Sequence, residues 1–256
     1  MNKAKHTVKS YLSSFGRNRG RSLRPYQQGL VDTLLPKLSL PLGGGGLGLG
    51  WRAKHQSPFL ESGENHPHPA SPLEGEEYSK VALEIGFGGG EHLLVQAQYN
   101  PDTLFIGCEP FINGVAKCLA GIDADNIQNI RLFTHDAREL VQAMPAQSVD
   151  SIFILFPDPW PKLRHNKRRL VNAETLEMLA RIHKPGGRLL IATDHEDYSV
   201  WILEQLLTTP HYQWQAKEQA DWTTPPKDWT ETKYQRKTSA EGRAPVFMEC
   251  VRLINN

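Results

Sequence analysis

Five times between residues 80 and 207 a short apolar run gives way to a segment of helical period, and this alternation limits the fold more tightly than any other feature of the chain. The apolar runs predict strands over 81–86, 104–109, 130–134, 149–156 and 188–193, with helices over 91–99, 111–120, 137–144, 172–183 and 198–207. A late apolar stretch at 245–253 predicts one more strand. Parallel strands need long crossovers, and helices placed in those crossovers cover both faces of the sheet. The expectation is therefore a doubly wound α/β fold with a mainly parallel sheet. Asn172 is placed to cap the fourth helix, and Lys184-Pro185-Gly186-Gly187 to end it.

The fourth apolar run, Ile152-Phe153-Ile154-Leu155-Phe156, is stopped by Pro157, Pro159 and Pro161, none of which can donate a ladder hydrogen bond. Asp158 and Trp160 are thereby held in a stiff turn at a strand end. Lys162, Arg164, Lys167, Arg168 and Arg169 follow, with His165 and Asn166 among them and no acid to neutralise them. Taken singly, Pro-Asp-Pro marks a turn, the tryptophan a packing residue and the basic run a solvated face. Their joint position after a buried strand gives them a functional reading, because open α/β sheets bind ligands at strand ends.

The first run passes into Gly86-Phe87-Gly88-Gly89-Gly90 and then a helix, an arrangement that lets a nucleoside lie against the main chain. A glycine loop alone serves dinucleotides, methyl donors and plain turns alike; the acids discriminate. Glu84 closes the first strand, Glu109 the second, and Asp136 follows the third. Glu109 suits ribose hydroxyls, and Asp136 with Ala137 is placed for an adenine amino group. So many carboxylates would repel a pyrophosphate, whereas S-adenosyl-L-methionine carries a sulfonium and an ammonium, and the charge balance favours it as the cofactor.

Glu84-Ile85-Gly86-Phe87-Gly88, Ile106-Gly107-Cys108-Glu109, His135-Asp136-Ala137, the run from Phe156 through Asp158, Trp160 and Lys162 to Arg169, Thr193-Asp194 and Thr232-Lys233-Tyr234 together resemble the bacterial tRNA (guanine-N7)-methyltransferase family. The resemblance covers residues 80–253 and a basic arm at 17–28. It implies a class I methyltransferase (Rossmann-like) sheet of seven strands, mostly parallel with the last antiparallel, and N7 methylation of a guanine in the variable loop of tRNA. Position by position, it implies that Glu84, Gly86, Gly88, Glu109, Asp136, Ala137 and Asp158 hold the methyl donor, with Asp158 catalytic. It assigns substrate contacts to Lys162, Asp194, Thr232, Lys233, Tyr234 and Gln235, and RNA contacts to Arg164, His165, Asn166, Lys167, Arg168 and Arg169. Two departures stand out: Gln235 stands where many members have glutamate, and the insertion after residue 40 is long.

That insertion, residues 41–77, is Gly-rich and then rich in Pro, His, Ser and Glu, a composition that cannot bury enough apolar surface to offset its ordering, so it reads as a linker. It separates a basic N-terminal arm, 1–40, which includes a short amphipathic piece at 28–38, from the methyltransferase domain, 80–256. His55, His66 and His68 lack metal-type spacing, and no metal is expected. The net charge is only +1, but residues 1–30 carry Lys3, Lys5, Lys9, Arg17, Arg19, Arg21 and Arg24 without an acid, and such local patches bind phosphates. Cys108, Cys118 and Cys250 are unpaired in number, which fits reduced thiols and a cytoplasmic location. No apolar run approaches a membrane span. The expected partner is tRNA, met by a monomer or homodimer away from membranes. Tyr198 and Glu196 open a helix that Asp194 could cap. Trp160, Trp229 or Tyr234 could stack on a base, with core packing or hinge support the first reading for any one of them, and the polar stretch 226–245 suggests a flap. Without the resemblance, a methyltransferase of another RNA or a protein, a non-catalytic RNA-binding module and a nucleotide-dependent oxidoreductase all stay open.

Overall fold

The protein is described here from a computed structural model covering residues 20–40, 78–231, 235–236 and 242–254. Two helices come first, α1 (Pro25–Thr33) and α2 (Leu35–Leu38). The alternating part follows as β1 (Lys80–Ile85), α3 (Glu91–Tyr99), β2 (Thr103–Cys108), α4 (Ile112–Asp125), β3 (Ile130–Phe133), α5 (Ala137–Ala143), β4 (Val149–Leu155), α6 (Ala173–Ile182), β5 (His183–Thr193) and α7 (Glu196–Thr208). A three-residue strand β6 (Tyr212–Trp214), a short helix α8 (Ala220–Thr223) and β7 (Val246–Arg252) complete it. The seven strands lie in the order β3-β2-β1-β4-β5-β7-β6. Every pairing from β3 to β5 is parallel, and β7 runs antiparallel to both of its neighbours.

The apolar runs are nearly continuous because the inner strands are buried on both faces. Val81, Leu83 and Ile85 of β1 face one core with Leu140 of α5, Leu176 of α6 and Ile202 of α7. Ala82 of the same strand faces the other core, with Leu30 of α1, Leu93 of α3 and Leu119 of α4. Each fully buried aliphatic side chain contributes about 1.5–3 kcal/mol, and these two cores fix the layers against which the strand ends are positioned.

Three points refine these expectations. The Lys184–Gly187 stretch does end α6, at Ile182, but it then continues as β5: His183 already pairs with Val149. Gly187 is required there, since a Cβ would stand 2.4 Å from His183 Nε2 and 2.9 Å from the Asp150 carbonyl oxygen. β6 had no readable signal, being too short for a period. Finally, the amphipathic piece at 28–38 lies in α1 and α2 and is docked on the sheet. Tyr26 Oη donates to Asp123 Oδ2 at 2.7 Å, Leu30 and Leu38 are buried, and Leu40 N donates to the Leu132 carbonyl at 2.9 Å. This segment covers the outer edge of β3, which would otherwise present unpaired backbone. The cations up to Arg19 and the whole 41–77 insertion lie outside the described residues. Among the described residues no helix is long and apolar enough to cross a membrane.

Candidate active site

Strand order reverses between β1 and β4, so the connections leaving these neighbours turn to opposite faces and open a crevice beyond their carboxyl ends. The chain leaving β1 forms the glycine loop. Gly88 has φ +55°, a left-handed conformation that a side chain makes costly, and a Cβ there would project into open space. Gly90 serves packing instead: a Cβ would meet Cys118 Sγ at 2.7 Å. The loop is pinned by Glu109, whose Oε2 accepts from Gly88 N and whose Oε1 accepts from Phe111 N, both at 2.9 Å.

The crevice is a cleft of about 970 Å³. The residues read as donor-binding, Glu84, Gly86, Gly88, Glu109, Asp136, Ala137 and Asp158, all line it. Glu84 sits at its floor, with Oε2 2.8 Å from His92 Nδ1, and both side chains are only 3% exposed. Burial pushes the Glu109 carboxyl up, the Phe111 and Gly88 amides pull it back, and the charges of Asp158 and Glu84 push it up again, leaving it raised. Asp136 caps α5, accepting from Arg138 N at 3.0 Å, and is gripped by the guanidinium through Nε at 2.9 Å and Nη2 at 2.6 Å. Burial alone would raise its carboxyl; the Arg138 hydrogen bonds and charge outweigh that and hold it below the usual range. An adenine amino group meeting Asp136 would thus share the carboxylate with Arg138. Cys108, in the cleft wall, has its thiol pushed up by burial and by the charges of Asp136 and Glu109.

On the other side stands the turn after β4. Phe156 (φ 52°) and Trp160 (φ 45°) are both left-handed although neither is glycine, and they bracket Pro157-Asp158-Pro159. Such conformations cost of order 1–3 kcal/mol each and persist only where the surroundings enforce them. Asp158 is exposed at the cleft. The basic run folds into a 3₁₀ helix, Leu163–Arg168, that turns back on Trp160: the Arg168 guanidinium lies 5.0 Å above the indole and the His165 ring meets it edge-on at 5.9 Å. Arg168 and His165 thus take one face and one edge of Trp160, which stays half-exposed at the cleft. Lys162, Arg164 and Lys167 are exposed, while His165 and Asn166 are half-buried. Partial desolvation and the cations Arg168, Arg164, Lys162 and Lys167 hold the His165 imidazole below its ordinary pKa.

Arg169 departs from its expected RNA contact. It is 2% exposed, its Nε donates to the Pro159 carbonyl at 3.0 Å, and its Nη2 pairs with Asp197 Oδ2. Asp194 also departs from expectation: it does not line the cleft, its Oδ2 lies 3.0 Å from Arg243 Nη1, and the cap of α7 is His195, whose Nδ1 accepts from Tyr198 N. Gln235 is buried and accepts from Trp229 Nε1 at 2.8 Å. Trp229 itself packs on Phe247 at 4.8 Å and on His92 at 5.8 Å, so it is a packing residue and not a stacking platform. The stem of the supposed flap is tied down, with Asp228 paired to Arg188 and its carbonyl accepting from Gln96 Nε2 at 2.7 Å. Thr232, Lys233 and Tyr234 lie outside the described residues. Sequence reasoning missed His92 and Arg138. An arginine two residues after a capping aspartate was a usable signal for Arg138; nothing local marked His92.

The strand order with an antiparallel β7, a glycine loop after β1 and acids closing successive strands define a class I methyltransferase. A family described as "Putative methyltransferase" matches residues 78–248. The tRNA (guanine-N(7)-)-methyltransferase of Nitrobacter hamburgensis is 42% identical over 236 residues, covering 92% of this chain and 85% of the relative. That of Caulobacter vibrioides strain NA1000 / CB15N is 42% identical over 242 residues, covering 94% and 95%. The solved 16S rRNA (adenine(1408)-N(1))-methyltransferase from Catenulisporales acidiphilia overlays with a TM-score of 0.48 at 17% identity, covering 70% of this chain and 90% of its own. The chain belongs to the tRNA (guanine-N(7)-)-methyltransferase family.

Proposed function

We propose that the protein transfers the methyl group of S-adenosyl-L-methionine to N7 of a guanine in tRNA, in the variable loop. Family membership over nine-tenths of the chain supports the reaction and its donor. The observation that carries it is that Glu84, Glu109, Asp136 and Asp158 converge on one cleft beside the glycine-rich loop. Burial first, and after it the charges of Asp158 and Glu84, raise the Glu109 carboxyl, and a cation docked among these acids relieves the repulsive part, which suits a sulfonium with an ammonium and disfavours a pyrophosphate. The open space on the Cβ side of Gly86 and Gly88 accepts a nucleoside against the main chain.

Bound there, the donor supplies an electrophilic methyl carbon on sulfur. Guanine N7 has a free lone pair and no proton to lose, so the protein need supply no general base, and its contribution is positioning and electrostatics. The Asp158 carboxylate, exposed on its stiff turn, accepts from the N–H edge of the incoming guanine and offsets the positive charge that develops on the purine. Lys162, Arg164, Lys167 and Arg168 hold the phosphates, in keeping with RNA recognition that pairs basic grips with a splayed base. Glu84, anchored by His92, and Glu109, anchored by two amides, set the donor side.

The test is to incubate the purified protein with unmodified tRNA and labelled methyl donor and to analyse the nucleosides. N7-methylguanosine, with chain cleavage after mild reduction and aniline, is expected. Label on another base, or none with donor bound, would overturn the proposal.

A further inference from the structure

We infer that Arg169 is a positioning residue for the transfer, holding the turn that carries Asp158 to the first turn of α7. The inference rests on the reaction proposed above. The Phe156–Trp160 turn is poor in donors, since Pro157 and Pro159 have no N–H, and two of its residues sit in the left-handed region. Phe156 N ties its start to the Ala192 carbonyl at 2.8 Å, and beyond Asp158 the Arg169 Nε bond holds the Pro159 carbonyl. The guanidinium is fixed in turn. Its Nη2 pairs with Asp197 in the first turn of α7, and its plane lies 5.1 Å from the centres of both the Tyr198 and Trp201 rings. The segment just after it is stitched to the same helix: Val171 N donates to Tyr198 Oη at 3.2 Å, and Trp201 Nε1 donates to the Val171 carbonyl at 2.8 Å.

This box spans two strand ends. Pro159 follows β4, while Asp197 lies three residues beyond Asp194, which follows β5. One buried cation therefore sets the place of Asp158 relative to the β5 end. A side chain 1% exposed has no surface to offer an RNA phosphate, and the exposed Arg164 and Lys167 do. Arginine is needed because only a planar fork can bond a carbonyl edge and a carboxylate while stacked between rings.

The experiment compares Arg169→Met, Arg169→Lys, Asp197→Asn and the Arg169→Met/Asp197→Asn double variant by steady-state kinetics, tRNA binding across salt and thermal melting. For Arg169→Met, kcat should fall by about a hundredfold, the size of effect a misplacement of about 1 Å produces. KM for tRNA and the salt slope of binding should hold at wild-type values. Arg169→Lys should recover little. Asp197→Asn should lower kcat less, with unchanged melting because its carboxylate is 65% exposed, and the double variant should be no worse than Arg169→Met alone. Wild-type kcat in Arg169→Met, or a salt slope reduced by about 0.7–0.9 with kcat intact, would overturn the inference and return Arg169 to phosphate binding. If Arg169→Met fails to fold, Asp197→Asn decides: wild-type kcat there sinks the proposal. A wild-type protein that makes no N7-methylguanosine would instead sink the functional reading, so the two failures are distinct.

Discussion

The two ends of the same parallel strands are built on opposite principles. At the amino end polar groups are matched. Asp150 takes the Lys184 ammonium at 2.8 Å on each oxygen and also accepts from Val81 N at 2.9 Å. Asn129 donates through Nδ2 to the carbonyls of Ala97, Asn100 and Thr103 at 2.9–3.1 Å. His183 sits between Tyr212 Oη at 3.2 Å and the Asp150 carbonyl at 3.4 Å. At the carboxyl end Glu84, Glu109 and Asp158 face one another across a cleft, and Phe156 and Trp160 are strained. At one end the polar groups are spent on each other, whereas at the other Glu84, Glu109 and Asp136, though held by His92, two amides and Arg138, still gather with Asp158 around one open cleft, where a cationic ligand relieves their mutual repulsion. Stability and chemistry are thereby separated along the strand axis.

Asp158→Asn tests the separation most severely. With its charge gone and its shape kept, kcat should fall by about 10²–10³, while melting temperature and tRNA affinity stay near wild type. A large loss of melting temperature would break the contrast.

His183 gives the next effect, at the other end. Burial lowers its pKa from 6.5 to about 4, opposed by the hydrogen bond to the Asp150 carbonyl and helped to a smaller degree by the neighbouring Arg252 charge. The unfolded chain thus takes up a proton near pH 6.5 that the folded chain refuses until about 4. Stability is full above pH 6.5 and drains away as acid carries the pH down to 4, by about 3 kcal/mol in all. Melting followed over that range should show the loss, His183→Gln should flatten it, and kcat at neutral pH should be retained.

Asp150→Ala should cost about 1–3 kcal/mol by leaving the Val81 amide and the Lys184 ammonium without their acceptor. Chemical denaturation reads that loss; an accompanying drop in kcat would blur the distinction between the ends. Lys167→Ala should have the smallest effect, reducing the salt slope of tRNA binding by about 0.7–0.9 with melting untouched.

What the sequence displayed was whatever depends on local pattern. The first four strands fall within a residue or so of their apolar runs, and Glu84, Glu109 and Asp136 stood out because each acid lies at or just beyond the end of such a run. Arg169 was not: it stands in a row of cations, and a single letter does not say which member of a charged row turns inward. Its burial depends on Asp197, Tyr198 and Trp201, which only the fold brings near. Asp194 was equally opaque, because its partner Arg243 lies far along the chain. The Lys184–Gly187 stretch misled through its composition. Proline and glycine usually break structure, yet here the glycine is what lets the strand pass close to His183.

Cys108 lies in the wall of the cleft, beside Glu109 and Asp136. Burial first, and after it those two carboxylates, favour the protonated thiol, and a protonated thiol is a poor nucleophile. The acids that border the cleft thus also bear on the reactivity of a sulfur in its wall, which matters in an enzyme whose co-substrate is an alkylating agent.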